Sequence, residues 1–403
     1  MDSASKLIPA RVGIIGGGLA GPVIATLLKL KGYNPVIFER RETVAEGGIG
    51  IGVQRNGLEV LQRIPGLVES LPGLPLDYFH FYSVVPEDKC VLAELDGPKR
   101  RREAAGGLGT IGMRRSALQG ALVAAAERTG VPIRWRHRLS TLEQREADVL
   151  LTFGDGTQEP VGFVIGCDGL HSDTRKALFG EQPANYTGLA QTGGYSPMPA
   201  QLRGTSTAMT VFGDGAHLFA IPVDEDGMGW AITTREAEAK EMWRTMDADA
   251  AEAFKQTSPV AHWDYGVGEL VQNATMVTKY GLYDRPELPA WHNGRVVLIG
   301  DAAHPTSPFL GQGANQAFED AALLVDLLEQ HCPGARGLDT AALDIVFREL
   351  AAARVPRTSE LVRRSREHGE SRVVHGAEAC IARNNSYRKL LADETLMRQR
   401  FGA

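Results

Sequence analysis

The N-terminal segment constrains the fold of this chain more than any other. Its apolar run Val12-Gly13-Ile14-Ile15 reads as a buried parallel strand, and Gly16, Gly18 and Gly21 follow at the spacing GxGxxG. The stretch from Pro22 to Lys31 then reads as an amphipathic helix closed by Gly32. Gly16 permits the tight turn, Gly18 lets the backbone approach a pyrophosphate, and Gly21 lets helix and strand pack closely. Leu19 and Ala20 share that turn, so the pyrophosphate would sit on the positive end of the helix. A second strand, Pro35 to Phe38, ends in Glu39, where a carboxylate accepts ribose hydroxyls; Arg40 follows it into the same expected site. A lone GxGxxG could be a glycine-rich turn of another kind, and it does not choose between NAD and FAD.

Two later segments each run from a strand pattern into a turn and a helix pattern. Val296 to Ile299 leads into Gly300-Asp301-Ala302-Ala303-His304-Pro305, then Pro308-Phe309-Leu310-Gly311-Gln312-Gly313-Ala314-Asn315, with a helical pattern from Gln316 to about Gln330. Phe163 to Ile165 leads into Gly166-Cys167-Asp168-Gly169-Leu170-His171-Ser172-Asp173-Thr174-Arg175. On residue chemistry alone, Asp301 could be a helix N-cap, His304 a satisfied loop histidine, Ser172 an N-cap, and Cys167 a packed thiol.

Together these motifs resemble the flavin-dependent aromatic hydroxylases, the single-component FAD monooxygenases typified by para-hydroxybenzoate and salicylate hydroxylases. The resemblance runs in order over nearly the whole chain. It implies that Asp301 contacts the ribityl chain of FAD, that Pro308, Gly311, Gly313, Ala314 and Asn315 border the isoalloxazine, and that Pro305 lies near the flavin face. It gives Asp168 a share in cofactor binding. Gly48-Ile49-Gly50-Ile51 with Asn56-Gly57 resembles the family loop that brings Gly50 to the flavin, although Arg55 stands where the family has proline. Arg115-Ser116-Ala117-Leu118 resembles the family's phosphate-contacting helix, with Arg114 the alternative by one position. Arg354-Val355-Pro356-Arg357 and Ser365 match a family segment expected to brace the C-terminal helices.

The implied fold is α/β: a Rossmann-like FAD-binding domain with an inserted, mostly antiparallel substrate sheet and C-terminal helices. Residues 8–75, 108–182 and 290–335 carry the cofactor motifs, whereas 76–107 and 183–289 alternate as strands do, at Thr205 to Phe212, His217 to Ile221 and Gly229 to Thr234. Residues 340–403 are polar, arginine-rich and helical in pattern.

Composition excludes some classes of partner. A net charge of −6 offers no basic field for nucleic acid, and Lys99-Arg100-Arg101-Arg102 reads as a solvated loop tip. The four cysteines have no metal spacing, and no apolar run reaches the length of a membrane span. A cytoplasmic monomer or homodimer is expected.

The activity implied is NAD(P)H-dependent oxygen insertion: NADPH or NADH reduces FAD, O2 gives a flavin hydroperoxide, and one oxygen atom reaches a small aromatic or polyketide- or terpenoid-like substrate. Hydroxylation comes first and epoxidation of an alkene second. An FAD oxidase or dehydrogenase on the same fold, or a flavin-binding protein without catalysis, remains open. No catalytic base carries over. The arginine position of some fungal relatives holds Gly193, and Ile221-Pro222 replaces their tyrosine-proline pair. Tyr195 and His217 are candidate pocket residues. Met209, Phe212, Phe219, Ile221 and Trp230 form either a greasy pocket wall or the core of the sheet.

Overall fold

The computed structural model describes residues 11–44, 49–336 and 338–393. Its first layer is a six-stranded sheet in the order His292–Asn293, Val296–Leu298, Phe163–Gly166, Arg11–Ile15, Asn34–Phe38, Ile133–Arg134. All neighbours are parallel except the first pair. These strands read as continuous apolar runs because both faces are covered. Helices Ala20–Leu30, Arg115–Arg128 and Gly313–His331 pack on one side, and the antiparallel sheet of Leu139–Gln144, Val149–Phe153 and Gln158–Val161 covers the other. The glycine loop is tight for the reason its spacing implies. A Cβ on Gly21 would stand 1.9 Å from the Gly16 carbonyl oxygen, and Gly16 itself has φ +107° with the Cys167 carbonyl against it.

The second layer is a seven-stranded sheet: Met276–Asp284, Asn185–Pro197, Gly227–Arg235, Ala216–Asp224, Thr207–Phe212, Tyr78–Ser83, Cys90–Leu95. It is antiparallel save for one parallel pair, Thr207–Phe212 with Tyr78–Ser83. Alternation decides its two faces. Met209, Val211, Leu218, Met228, Trp230 and Ile232 point outward into a core shared with Val260, Val267 and Leu270. Phe219 and Ile221 point the other way, toward the first layer, with Leu76, Ala208 and Val223.

The layers meet through glycines. The short strand Gly50–Val53 lies against the sheet so closely that a Cβ on Gly50 would meet Val223 and Ile221 within 2.7 Å. Helices Thr340–Arg372 and Ala377–Leu391 close the molecule. One expectation is corrected here. Lys99 to Arg102 is not a loop tip but lies in the helix Gly97–Ala104, where Arg102 pairs with Asp77 at 2.6 Å and Arg100 with Asp96 at 2.9 Å. Local i,i+4 pairing stabilises a charged run that has no apolar face to announce a helix.

Candidate functional site

A cavity of about 370 Å³ opens at the carboxyl ends of the parallel strands, where ligands of doubly wound sheets bind. Gly16, Gly18, Leu19, Ala20, Glu39 and Arg40 line one end. Ile51, Arg115, Asp301, Gly313 and Ala314 line the other, and Asp168 lies on the wall between. A Cβ on Gly18 would meet nothing within 4 Å, so the backbone there is bare toward the cavity.

Most of the remaining motif residues hold this surface in place. Glu39 is buried, accepting from the Gly17 amide at 2.6 Å and the Arg41 amide at 2.9 Å. Those bonds fix its carboxylate at the mouth of the glycine turn. Asp168 accepts from the Ser172 hydroxyl at 2.5 Å and from the Thr174 amide and hydroxyl at 2.9 and 3.0 Å. Its acidity is weakened by burial against the pull of those donors. Ser172 caps the following helix through the Arg175 amide at 2.7 Å. Arg175 then reaches the Ala302 and Ala303 carbonyls at 3.3 and 3.1 Å. Burial among these neutral partners brings its guanidinium down to about 10. The middle motif therefore grips the turn that carries Asp301.

Asp301 opens onto the cavity, surrounded by protein on its other sides. Burial raises its carboxyl above the ordinary range, opposed by His304 and Arg115. The His304 imidazole bonds Asp320 at 2.6 Å and stacks on Trp291, with ring centroids 5.0 Å apart. Asp320 also accepts from the Gly300 amide at 3.0 Å and from Arg354 Nε at 2.7 Å, and Arg354 continues to Glu319 at 2.5 Å. Those partners hold the Asp320 carboxyl below its usual range against its burial. Ser365 bonds the Ser307 carbonyl at 2.6 Å. The Arg354 segment, expected to brace the C-terminal helices, ties its helix to Asp320 and through it to the Asp301 turn.

Several expected cofactor residues lie elsewhere. Gly50 faces the seven-stranded sheet instead of the cavity. Pro308, Gly311 and Asn315 do not line the cavity either. Asn315 is a brace: its Oδ1 accepts from the Gln54 amide at 2.9 Å, and its Nδ2 donates to the Gly311 carbonyl at 2.8 Å. Gly311 takes φ +62° to end the turn before the helix. Gly48 lies outside the described residues. Arg55, the departure from the family pattern, is exposed and pairs with Glu59 at 2.8 Å. Cys167 is a half-buried residue on the cavity wall, its thiol pushed well above its normal pKa by desolvation and by Asp168 and Asp320.

Arg114 and Arg115 separate cleanly. Arg115 enters the cavity. Arg114 lies over the Tyr195 ring at 3.7 Å and pairs with Asp224 at 3.0 Å, so Tyr195 is part of the contact between layers. Met209 and Trp230 belong to the outer core, and Phe212 packs with Phe81 and Tyr387. His217 stays on the inner face, buried.

Sequence reasoning missed Gln119, His137, Arg138 and His171, all on the cavity wall. Gln119 donates to the Gly17 carbonyl at 2.7 Å. It lies one helical turn beyond Arg115, and that spacing could have found it. His137 and Arg138 follow an edge strand and carry no local signal.

The surface fits a dinucleotide: a bare glycine turn at a helix N-terminus, a fixed carboxylate at one end, and a second helix N-terminus with Arg115 and Asp301 at the other. The family model for the FAD binding domain matches residues 9–344. The chain belongs to the FAD-dependent aromatic monooxygenases. It is 33% identical over 368 residues to a 3-amino-4-hydroxybenzoate 2-monooxygenase of Streptomyces platensis, covering 89% of this chain and 87% of that one. It is 30% identical to a 6-hydroxynicotinate 3-monooxygenase of Pseudomonas fluorescens, covering 79% and 83%. HpxO of Klebsiella pneumoniae, solved with FAD and uric acid, shares the fold at a TM-score of 0.82 and 21% identity, over 97% of this chain and 96% of that one. The enzyme is therefore an oxidoreductase that uses FAD and hydroxylates small aromatic molecules, with NAD(P)H as the family's reductant. Among the described residues no helix is long and apolar enough to cross a membrane.

Proposed function

We propose that this enzyme hydroxylates the ring of a small hydroxylated aromatic carboxylate. The ring C–H becomes C–OH, O2 supplies that oxygen and the one leaving as water, and NADH or NADPH supplies two electrons. The carrying observation is the single continuous cavity, which joins Gly16, Gly18 and Glu39 to Arg115, Asp301 and Gly313. Those residues would take an adenosine beside Glu39 and a reactive ring beside Asp301 and Gly313. Relatives named for 3-amino-4-hydroxybenzoate, 6-hydroxynicotinate and, at 26% identity, 3-hydroxybenzoate support the substrate class.

FAD, when bound, supplies electron transfer from the nicotinamide and activation of O2. The protein does the rest. Glu39 would take the adenosine ribose, and Gly16, Gly18, Leu19, Ala20 and Gly21 the pyrophosphate, with Arg40 beside them. Arg115 would meet the phosphate and ribityl region, and Asp301 the ribityl hydroxyls. The amides of Gly313 and Ala314 open the helix Gly313–His331, so their positive end would favour negative charge on the ring system. Pro308, Gly311 and Asn315 would act by shaping that turn, and Asp168 by holding the Arg175 loop. The inner face of the seven-stranded sheet would hold substrate and exclude water. Residues 8–75, 108–182 and 290–335 form the cofactor unit in this reading, and 76–107 with 183–289 the substrate unit. A cytoplasmic setting, supported by four cysteines that form no disulfide among the described residues, and a monomer or homodimer complete it.

The test is anaerobic reduction of the bound flavin by NADH and NADPH, with and without hydroxybenzoates and hydroxynicotinates. Faster reduction with one of these, and a hydroxylated product in air, is expected. Reduction by a panel compound without nicotinamide would make the protein an oxidase or dehydrogenase and overturn the reading.

A further inference from the structure

The Glu39 end of the cavity is enclosed from three sides. Residues 38–41 leave the parallel strand Asn34–Phe38, residues 137–139 follow the edge strand Ile133–Arg134, and residues 167–173 form the turn after Phe163–Gly166; each segment supplies lining residues. All three backbones are pinned. The Arg136 and His137 amides donate to the Arg41 and Glu39 carbonyls, both at 2.8 Å, and the Gly154 amide donates to the Arg138 carbonyl at 2.9 Å. The His137 ring packs against those of Phe38 and Phe153, with centroids 6.0 and 5.1 Å away. In the turn, Ser172 and Thr174 flank Asp173, and both donate to the Asp168 carboxylate.

Two side chains cross between these fixed walls. Arg138 Nε donates to Asp173 Oδ2 at 3.1 Å, and its Nη2 donates to Oδ1 at 3.4 Å. Both residues line the cavity, so the bond joins the segment beside Glu39 to the turn that carries Asp168. The Arg138 side chain is 65% exposed and that of Asp173 26%, which places the bond at the solvent-facing rim. An ion pair so exposed adds little to folding stability. Each segment it joins is already held by backbone bonds, so the pair is not needed to fix either one. What it does is close the rim.

We propose that Arg138 and Asp173 form a clasp over the adenosine end of FAD, with the bound adenosine beneath the pair. This rests on the placement of the adenosine beside Glu39 proposed above and adds the residues that govern its exit. Because the backbone on each side is pinned, the clasp opens by rotation of two side chains, without movement of a loop. The adenosine leaves only while the pair is parted, and it enters the same way. Exchange of FAD is therefore slowed in both directions, and salt that screens the pair speeds it.

The test measures FAD release from the holoenzyme on dilution, and FAD entry into apoprotein by stopped flow, both from flavin fluorescence. Arg138→Met and Asp173→Asn should each speed release by about two- to fivefold, the range set by an exposed pair, and should speed entry as well. The double variant should be no faster than either single one, because both changes remove the same bond. Raising NaCl from about 0.05 to about 1 M should speed release in wild type and have less effect in the double variant. The direction in Asp173→Asn is decisive. If Arg138 acted only as a positive charge near the diphosphate, removing the carboxylate would slow release, and that result would overturn the clasp. Unchanged release in both single variants would overturn it too. FMN ends at its phosphate, so its exchange should be the same in wild type and in the variants; equal acceleration of FMN would remove the clasp from the adenosine end. Glu39→Ala separates the two readings. If it leaves FAD affinity unchanged, the adenosine placement fails and the clasp with it. If it weakens FAD while Arg138→Met releases FAD at the wild-type rate, the clasp fails alone.

Discussion

On the proposed function the cofactor cavity and the inner face of the seven-stranded sheet wall one active site, yet they are built on opposite principles. The cavity is made of backbone. Its glycines, amides and helix ends meet the ligand, and the charged side chains around them mostly hold those elements still: Asp168 through Ser172 and Thr174, Arg175 through the Ala302 and Ala303 carbonyls, Arg354 through Asp320. The sheet face is made of side chains standing on regular backbone. There, one substitution changes the chemistry presented without changing the fold. A surface made of backbone restricts sequence at every position, whereas a surface made of side chains leaves sequence free to vary with the substrate.

The largest effect should come from breaking the backbone surface. Gly21→Val would force atoms into the Gly16 carbonyl oxygen, already 1.9 Å from an ideal Cβ, so the purified protein should carry almost no flavin absorbance. Normal flavin content would mean the turn is not the rigid half of the comparison. Arg354→Met should come next. It strands Asp320 without its charge partner, and urea denaturation should register a loss of about 3–5 kcal/mol. Acid probes the same network. A carboxyl depressed in the folded state, as that of Asp320 is, contributes stability above its unfolded value near about 4. That contribution is lost as pH falls through the lower folded value. Melting temperature should therefore drop below about pH 4 in wild type, and less steeply in Asp320→Asn. A parallel fall in the two proteins would remove Asp320 from the account.

The smallest effect belongs to the sheet face and should leave the cofactor half untouched. A Cβ on Gly193 would meet Ile49 Cδ1 at 2.0 Å, so Ile49 fills the space that an arginine takes in some relatives. Gly193→Ala should displace Ile49 and shift the substrate KM several-fold, on the order of the 1 kcal/mol typical of one methyl group, with flavin content unchanged. Flavin loss in this variant would show that the two surfaces are not separable.

The same contrast explains what could be read early. Gly16, Gly18 and Glu39 were legible because turn geometry and helix ends require those residue types at fixed offsets from a strand, whereas Asp301 and the choice of an arginine near 115 came from the resemblance to the flavin hydroxylases. Asn315, on a clear motif, and Gly50, on a weaker match, do not line the described cavity and make packing contacts instead, since a motif records that a position is constrained and not by what. The arginine pair 114 and 115 needed coordinates, because neighbouring side chains at the start of a helix diverge to different surfaces. His137 and Arg138 reach the cavity from a segment whose own sequence gives no hint of where it is placed, whereas Gln119 was findable from its spacing one helical turn beyond Arg115. On the sheet, alternation told inside from outside only once the register was known. Met209 and Trp230 fell to the outer core, while Phe219, Ile221 and His217 faced inward.

By itself, the sequence determined the α/β class and the dinucleotide turn, because those depend on local backbone geometry that few residues permit; FAD followed from the resemblance of its motifs to the flavin hydroxylases. Tertiary structure decided which charges touch the cavity and which brace it. It also decided that Gly193 makes room for Ile49, and that Arg372 from the C-terminal helix meets His217 from the sheet. Such pairings join residues more than a hundred positions apart, and they exist only where packing brings their elements together.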